Sequence, residues 1–166
     1  MIIHTSKDTL LTSEIRDLNT GYLKVKLSPQ FMGAFPVEQV QEVIVVGLES
    51  LTIIPNMPSC VLGLMNWHSR IIWLVDLPKM LGLELYHGKQ KMYNVVVINC
   101  EQGVFGLVVP ELKGTTRLFT ENLDSHHGKV DSHLSPYIRG YCQQAEENFL
   151  IFDVAAMMQS PILHQR

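Results

Sequence analysis

The strongest constraint on this chain is a train of short apolar runs, none long enough for a helical bundle, each cut off by Gly, Pro or a polar pair. In GYLKVKL, Leu23, Val25 and Leu27 alternate with Lys24 and Lys26, the two-residue period of a half-buried strand. FMGAFPV (31–37) reads as the next strand, after a Ser28-Pro29-Gln30 turn. Further strands are expected at Val43 to Val46, Leu62 to Trp67, Arg70 to Val75, Tyr93 to Asn99, Val104 to Val109, Glu111 to Phe119, Tyr137 to Gln143 and Phe149 to Phe152. Leu51 to Ile54 is another apolar run, closed by Pro55 and Pro58. Many short strands at regular spacing predict an all-β barrel or sandwich with a few short helices.

Helices are sparse in this reading. Val37, Val40 and Ile44 follow three-and-four spacing, which predicts two helical turns with Pro36 at the first position. Asp76 and Asp153 are expected to N-cap short helices reaching about Leu83 and Met158. Residues 1–20 are expected to form a tail or docked arm, 161–166 a C-terminal tail, and Thr120 to Pro136 a surface loop.

A repeat sharpens the choice between sandwich and barrel. Gly63 precedes Asp76 by 13 residues (63 to 76), and Gly140 precedes Asp153 by the same 13 (140 to 153). Both copies read as strand, turn, apolar strand, capping Asp and apolar helix, which favours two similar small barrels.

Composition removes several functions. Charged residues make up 17% of the chain against about 25% in typical soluble proteins, so part of the surface is expected to be apolar and to meet a partner. Net charge is −3, and the 13 Lys and Arg form no basic run. Neither nucleic acid nor an anionic membrane surface is therefore an expected partner. No signal peptide and no run of 18 apolar residues is visible. Cys60, Cys100 and Cys142 match neither a disulfide framework nor a zinc ribbon, and the simplest setting is a reducing cytosol.

Chemical motifs are mostly missing: there is no nucleophile elbow, zinc-protease helix, dinucleotide fingerprint or phosphate loop. Glu146 and Glu147 sit at an expected hairpin turn. Asp124, His126, His127, Asp131 and His133 are of metal-binding types, but a loop offers them no rigid scaffold. A small metal-binding or catalytic β-barrel using the His126–His133 loop is the alternative reading, and an exposed polar loop the plainer one. His4, His68, His87 and His164 are isolated. Cys100 and Cys142 are expected to pack in strands, Met80, Met157 and Met158 to fill core gaps, and Trp67 and Trp73 to pack in a hairpin.

Four stretches carry a family likeness: FPVEQVQEV, IIPNMPSCVLGLMNWHSRIIWLVDLPKMLGL, YNVVVINCEQGVFGLVVPEL and SPYIRGYCQQAEENFLIFDVAAMM. In this order, over about 21–158, the chain resembles the CheW-like domain of bacterial chemotaxis signalling. The resemblance implies a CheW-like domain over 21–160, made of two intertwined five-stranded SH3-like barrels sharing a core. One barrel would take roughly 30–85, and the other 21–28 plus 90–158. It also implies a cytoplasmic adaptor without cofactor or catalysis, recruited to membrane receptor arrays. There it would couple methyl-accepting receptor tips to the regulatory domain of a CheA-type histidine kinase.

Matching the family's receptor-facing positions points to Val40, Glu42 and Val43 on the short helix and its exit, Val96 on the facing strand, and His68 or Arg70 at the edge. The kinase-facing surface would gather Trp67, Ile71, Trp73 and Leu83. Core packing is the competing role for Val40, Val43 and Val96, and a solvated face for Glu42. The family's N-L-R-G reads Asn66-Trp67-His68-Ser69 here. His68 therefore replaces the Arg that pairs with the family's Glu, here Glu42, and such a pair would depend on pH. Arg70, two residues on in an extended strand, is the other candidate to meet Glu42. Val109-Pro110 loses a family acid. These departures suggest a divergent member, of a kind suited to pilus-driven motility or phototaxis.

Overall fold

A computed structural model describes residues 20–83, 90–119, 123–124 and 134–164. Eleven strands are formed among them: β1 (Thr20–Lys26), β2 (Met32–Pro36), β3 (Val40–Gly47), β4 (Val61–Trp67), β5 (Arg70–Asp76), β6 (Met92–Cys100), β7 (Gly103–Val109), β8 (Glu111–Leu118), β9 (Leu123–Asp124), β10 (Ile138–Gln144) and β11 (Glu147–Phe152). They form two sheets, in the orders β8-β1-β2-β11-β10-β9 and β3-β6-β7-β5-β4. Neighbours are antiparallel except β2–β11 and β5–β7, which run parallel.

The connectivity is an exchange. The chain lays β1 and β2 in the first sheet, crosses to build β3 to β7 in the second, and returns with β8 to β11. The expected division at 30–85 and 21–28 plus 90–158 is thereby corrected. β2 belongs with β1, and β6 and β7 belong with β3, β4 and β5. Pairing across such distances is decided by tertiary contacts that no local run encodes.

Most central strands bury both faces, which explains continuous apolar runs such as Val95 to Ile98. Val95 and Val97 face an interior made with Val46, Met65, Ile72, Leu74 and Val108. Val96 and Ile98 face the opposite way, into a central core with Val25, Phe35, Phe105, Leu107, Leu150 and Phe152. The first sheet repeats this plan, with Tyr22, Ala34, Leu118, Cys142, Phe149 and Ile151 in its own interior. Phe35 and Phe152 stack in the central layer at 4.8 Å between ring centroids. Each sheet thus wraps an interior of its own, and the two share the layer between them, as expected for twin small barrels.

The repeated motif is also physical. β4–β5 and β10–β11 are hairpins with two-residue turns at His68-Ser69 and Ala145-Glu146, all four residues at positive φ. The register shifts just before Gly63 in one and Gly140 in the other. Gly63 needs to be glycine: its φ is +146°, and a Cβ would strike the Thr52 carbonyl. Asp76 then caps α1 (Leu77–Met80) by accepting from Lys79 N at 3.1 Å, and Asp153 caps α2 (Val154–Met158) by accepting from Ala156 N at 3.1 Å.

Several expectations change. The helix expected over Val37 to Ile44 is only a 3-10 turn at Val37–Gln39, after which the chain extends as β3. Its apparent helical spacing arises from that turn plus a register shift between Val40 and Glu42. The apolar run Leu51 to Ile54 makes a single bridge, Thr52 to Leu64. Within the expected 120–136 loop, β9 pairs with β10 and Leu134 is buried. Residues 161–164 are not a tail: α3 (Pro161–His164) forms there, and Leu163 packs on the central core. Residues 1–19 lie outside the described residues, as do His4, His87, His126, His127, Asp131 and His133.

Candidate functional site

The second sheet closes on itself where its two edge strands meet. Glu42, on edge strand β3, faces the end of edge strand β4 and its turn. The indole Nε1–H of Trp67 donates to Glu42 Oε2 at 2.8 Å, and His68 Nε2 lies 3.0 Å from the same oxygen. The Trp67 bond, and then His68, hold the Glu42 carboxyl below the usual carboxylate range. The Trp67 and His68 rings meet edge-on at 4.7 Å.

The expected Glu42–His68 contact is therefore formed. Arg70 does not take the role, because the turn reverses the chain and sets Arg70 across from Trp67 as its ladder partner. Among the described residues Arg70 makes no ion pair. The expected grouping of Trp67 with Ile71 and Trp73 on one surface does not hold. Trp67 packs on the second sheet's own interior with its N–H on Glu42, whereas Ile71 and Trp73 point to the opposite face of the hairpin. Sequence reasoning missed the Trp67–Glu42 bond, and the available signal was chemical: a half-buried indole N–H needs an acceptor.

The other receptor-facing candidates do not converge. Val96 has 0% exposure in the central core, which fits its packing role and leaves it nothing to present to a partner. Val40 packs against that same core. Val43 points outward from β3 and is exposed, as is Val45. Strand alternation separates Val43 from Glu42, where a helix would have set them side by side.

A second surface runs along one face of β5. Ile71 is 73% exposed, Trp73 39%, and Val75 3%, so this face descends from solvent into the central core. At its lower end lies a cavity of about 410 Å³, lined by Val61, Trp73, Val75, Phe105, Met158 and Leu163 among others. Leu83 packs against the central core and does not join the exposed part.

Nucleophile chemistry finds little support here. Burial raises the thiols of Cys60 and Cys142, which keeps them protonated. Among the described residues no three His, Cys, Asp or Glu side chains gather to hold a metal, and no helix is long and apolar enough to cross a membrane.

Comparison with known proteins agrees with this architecture. The family model for the CheW-like domain matches residues 22–161. A relative from Treponema pallidum (strain Nichols), named chemotaxis protein CheW, is 23% identical over 124 residues, 73% of each chain. The crystal structure of the scaffolding protein TtCheW from Thermoanaerobacter tengcongensis superposes with a TM-score of 0.71 at 19% identity. The match covers 81% of this chain and 89% of that one, and shows a shared fold.

Proposed function

This chain belongs to the CheW-like domain family, and we propose that it is a non-catalytic adaptor joining methyl-accepting receptor tips to the regulatory domain of a CheA-type histidine kinase. The observation that carries the reading is the presence of two unlike surfaces on one body with a shared core. The β5 face offers exposed apolar area at Ile71 and Trp73, suited to a flat protein contact. The closed edge offers a fixed carboxylate at Glu42, and the outward face of β3 offers Val43 and Val45, so a partner wrapping this edge would meet both charge and apolar surface. A rigid body with two such faces can bridge two proteins without chemistry of its own. Repetition across a receptor array would convert individually weak contacts into avidity. The setting would be the cytoplasmic side of the membrane, beside the receptors.

The test is calorimetric titration of the full chain into the isolated regulatory domain of the host's CheA-type kinase. Saturable binding is expected, weakened about tenfold or more by Ile71→Asp, since a charge then enters the apolar contact. Absence of binding by the unaltered chain would overturn the kinase arm of the reading.

A further inference from the structure

Glu42 carries more than closure of the sheet requires. Both of its hydrogen-bonding neighbours converge on Oε2, and no donor among the described residues reaches Oε1. The side chain is 41% exposed, so the carboxylate lies at the surface within reach of a partner. The indole is a neutral donor that fixes the carboxylate without cancelling its charge. Among the described residues neither Lys nor Arg pairs with Glu42. The two fixing residues are held in turn: Trp67 ends β4 against the sheet interior, and His68 occupies a left-handed turn position with φ 46°.

In the first sheet the corresponding latch among the described residues is neutral. There Gln144, the last residue of β10, donates from Nε2 to Arg117 O at 2.9 Å and accepts from Phe119 N at 3.4 Å. Trp67 holds the matching place at the end of β4. One edge is latched by an amide against backbone, whereas the other uses an oriented anion with a spare oxygen.

We propose that Trp67 is a positioning residue that fixes Glu42 so that Oε1 receives a cationic side chain, Arg or Lys, of the bound partner. The inference rests on the adaptor reading for the existence of that partner. Its geometry stands apart, since pre-orienting the acceptor removes the ordering cost of a charge-assisted hydrogen bond on binding.

Two measurements decide it. In Trp73→Phe, Trp67 is the sole tryptophan. Its emission should shift on acidification with a midpoint below 4.5, the ordinary carboxyl value, and adding Glu42→Gln should abolish the shift, with His68→Gln present in both chains because that ring touches the indole, and circular dichroism confirming the fold at each pH. Emission that is flat, or a shift that survives Glu42→Gln, would overturn the placement. The second measurement is co-sedimentation with receptor-containing membranes and kinase. Trp67→Phe keeps the apolar ring but lacks the N–H. It and Glu42→Gln should each weaken binding about tenfold, the double variant should be no weaker than Glu42→Gln alone, and added salt should weaken the unaltered chain most. Additive losses, or full binding by Trp67→Phe, would overturn the positioning role. Failure of the unaltered chain to sediment would overturn the adaptor reading and the partner's cation together, while the fluorescence arm still decides the carboxylate's placement.

Discussion

The two sheets are built to one plan and closed by two different devices. Both end their hairpin's first strand with a side chain that reaches the opposite edge: Trp67 to Glu42 in one sheet, Gln144 to the backbone of Arg117 and Phe119 in the other. The Gln144 latch is neutral and uses groups that any strand possesses. The Glu42 latch needs a particular side chain on β3, leaves its second oxygen without a donor among the described residues, and puts a charge at the surface. The neutral Gln144 latch shows that this end-of-strand position can serve closure without a charge, so the charge in its counterpart is assigned to something outside the fold.

The largest effect should come from breaking the repeat at its bulge. Gly63→Ala forces a Cβ into the Thr52 carbonyl at a backbone angle that L side chains avoid, and should cost about 3 kcal/mol in urea unfolding. Gly140 occupies the matching bulge without a positive φ, so Gly140→Ala should cost clearly less. Next come the latches. Gln144→Ala should lower stability by about 1 kcal/mol and leave partner binding untouched, because its two hydrogen bonds serve only closure. A smaller gain is expected at the turns. Ser69→Gly and Glu146→Gly each relieve a left-handed residue, at φ 64° and 63°, and should raise stability by about 0.5 kcal/mol, since the freedom glycine adds to the unfolded chain offsets part of the relief.

The smallest effect is in acid. The Glu42 carboxyl is held lower in the folded chain than in the unfolded one, so its contribution to stability is complete above the unfolded value of about 4.5 and is lost as pH falls through the lower folded value. Unfolding midpoints of the unaltered chain and Glu42→Gln should therefore converge below pH 4.5, whereas Gln144→Ala should keep its offset throughout.

Much of the fold was legible in the sequence because burial leaves a local trace. Runs such as Val95 to Ile98 and Phe149 to Phe152 read as strands since both faces are covered, and Asp76 and Asp153 declared their helices through capping chemistry. Val37 to Ile44 misled because a 3-10 turn joined to a shifted strand mimics helical spacing. The exchange of β2 against β6 and β7 was invisible, since it depends on which distant strand each edge meets. The site was legible in part. The family pattern pointed to a partner for Glu42 but left His68 and Arg70 as alternatives, and Trp67 came to Glu42 from 25 residues away by a bond that no spacing encodes. Val96 matched a receptor-facing position yet lies in the core, because both faces of β6 are covered there.

Co-sedimentation of the full chain with receptor-containing membranes and kinase, comparing Glu42→Lys with Gln144→Ala, tests the difference between the edges most directly. The account predicts that Glu42→Lys stays folded and remains in the supernatant, while Gln144→Ala pellets with its partners like the unaltered chain. Equal pelleting of both variants would contradict it.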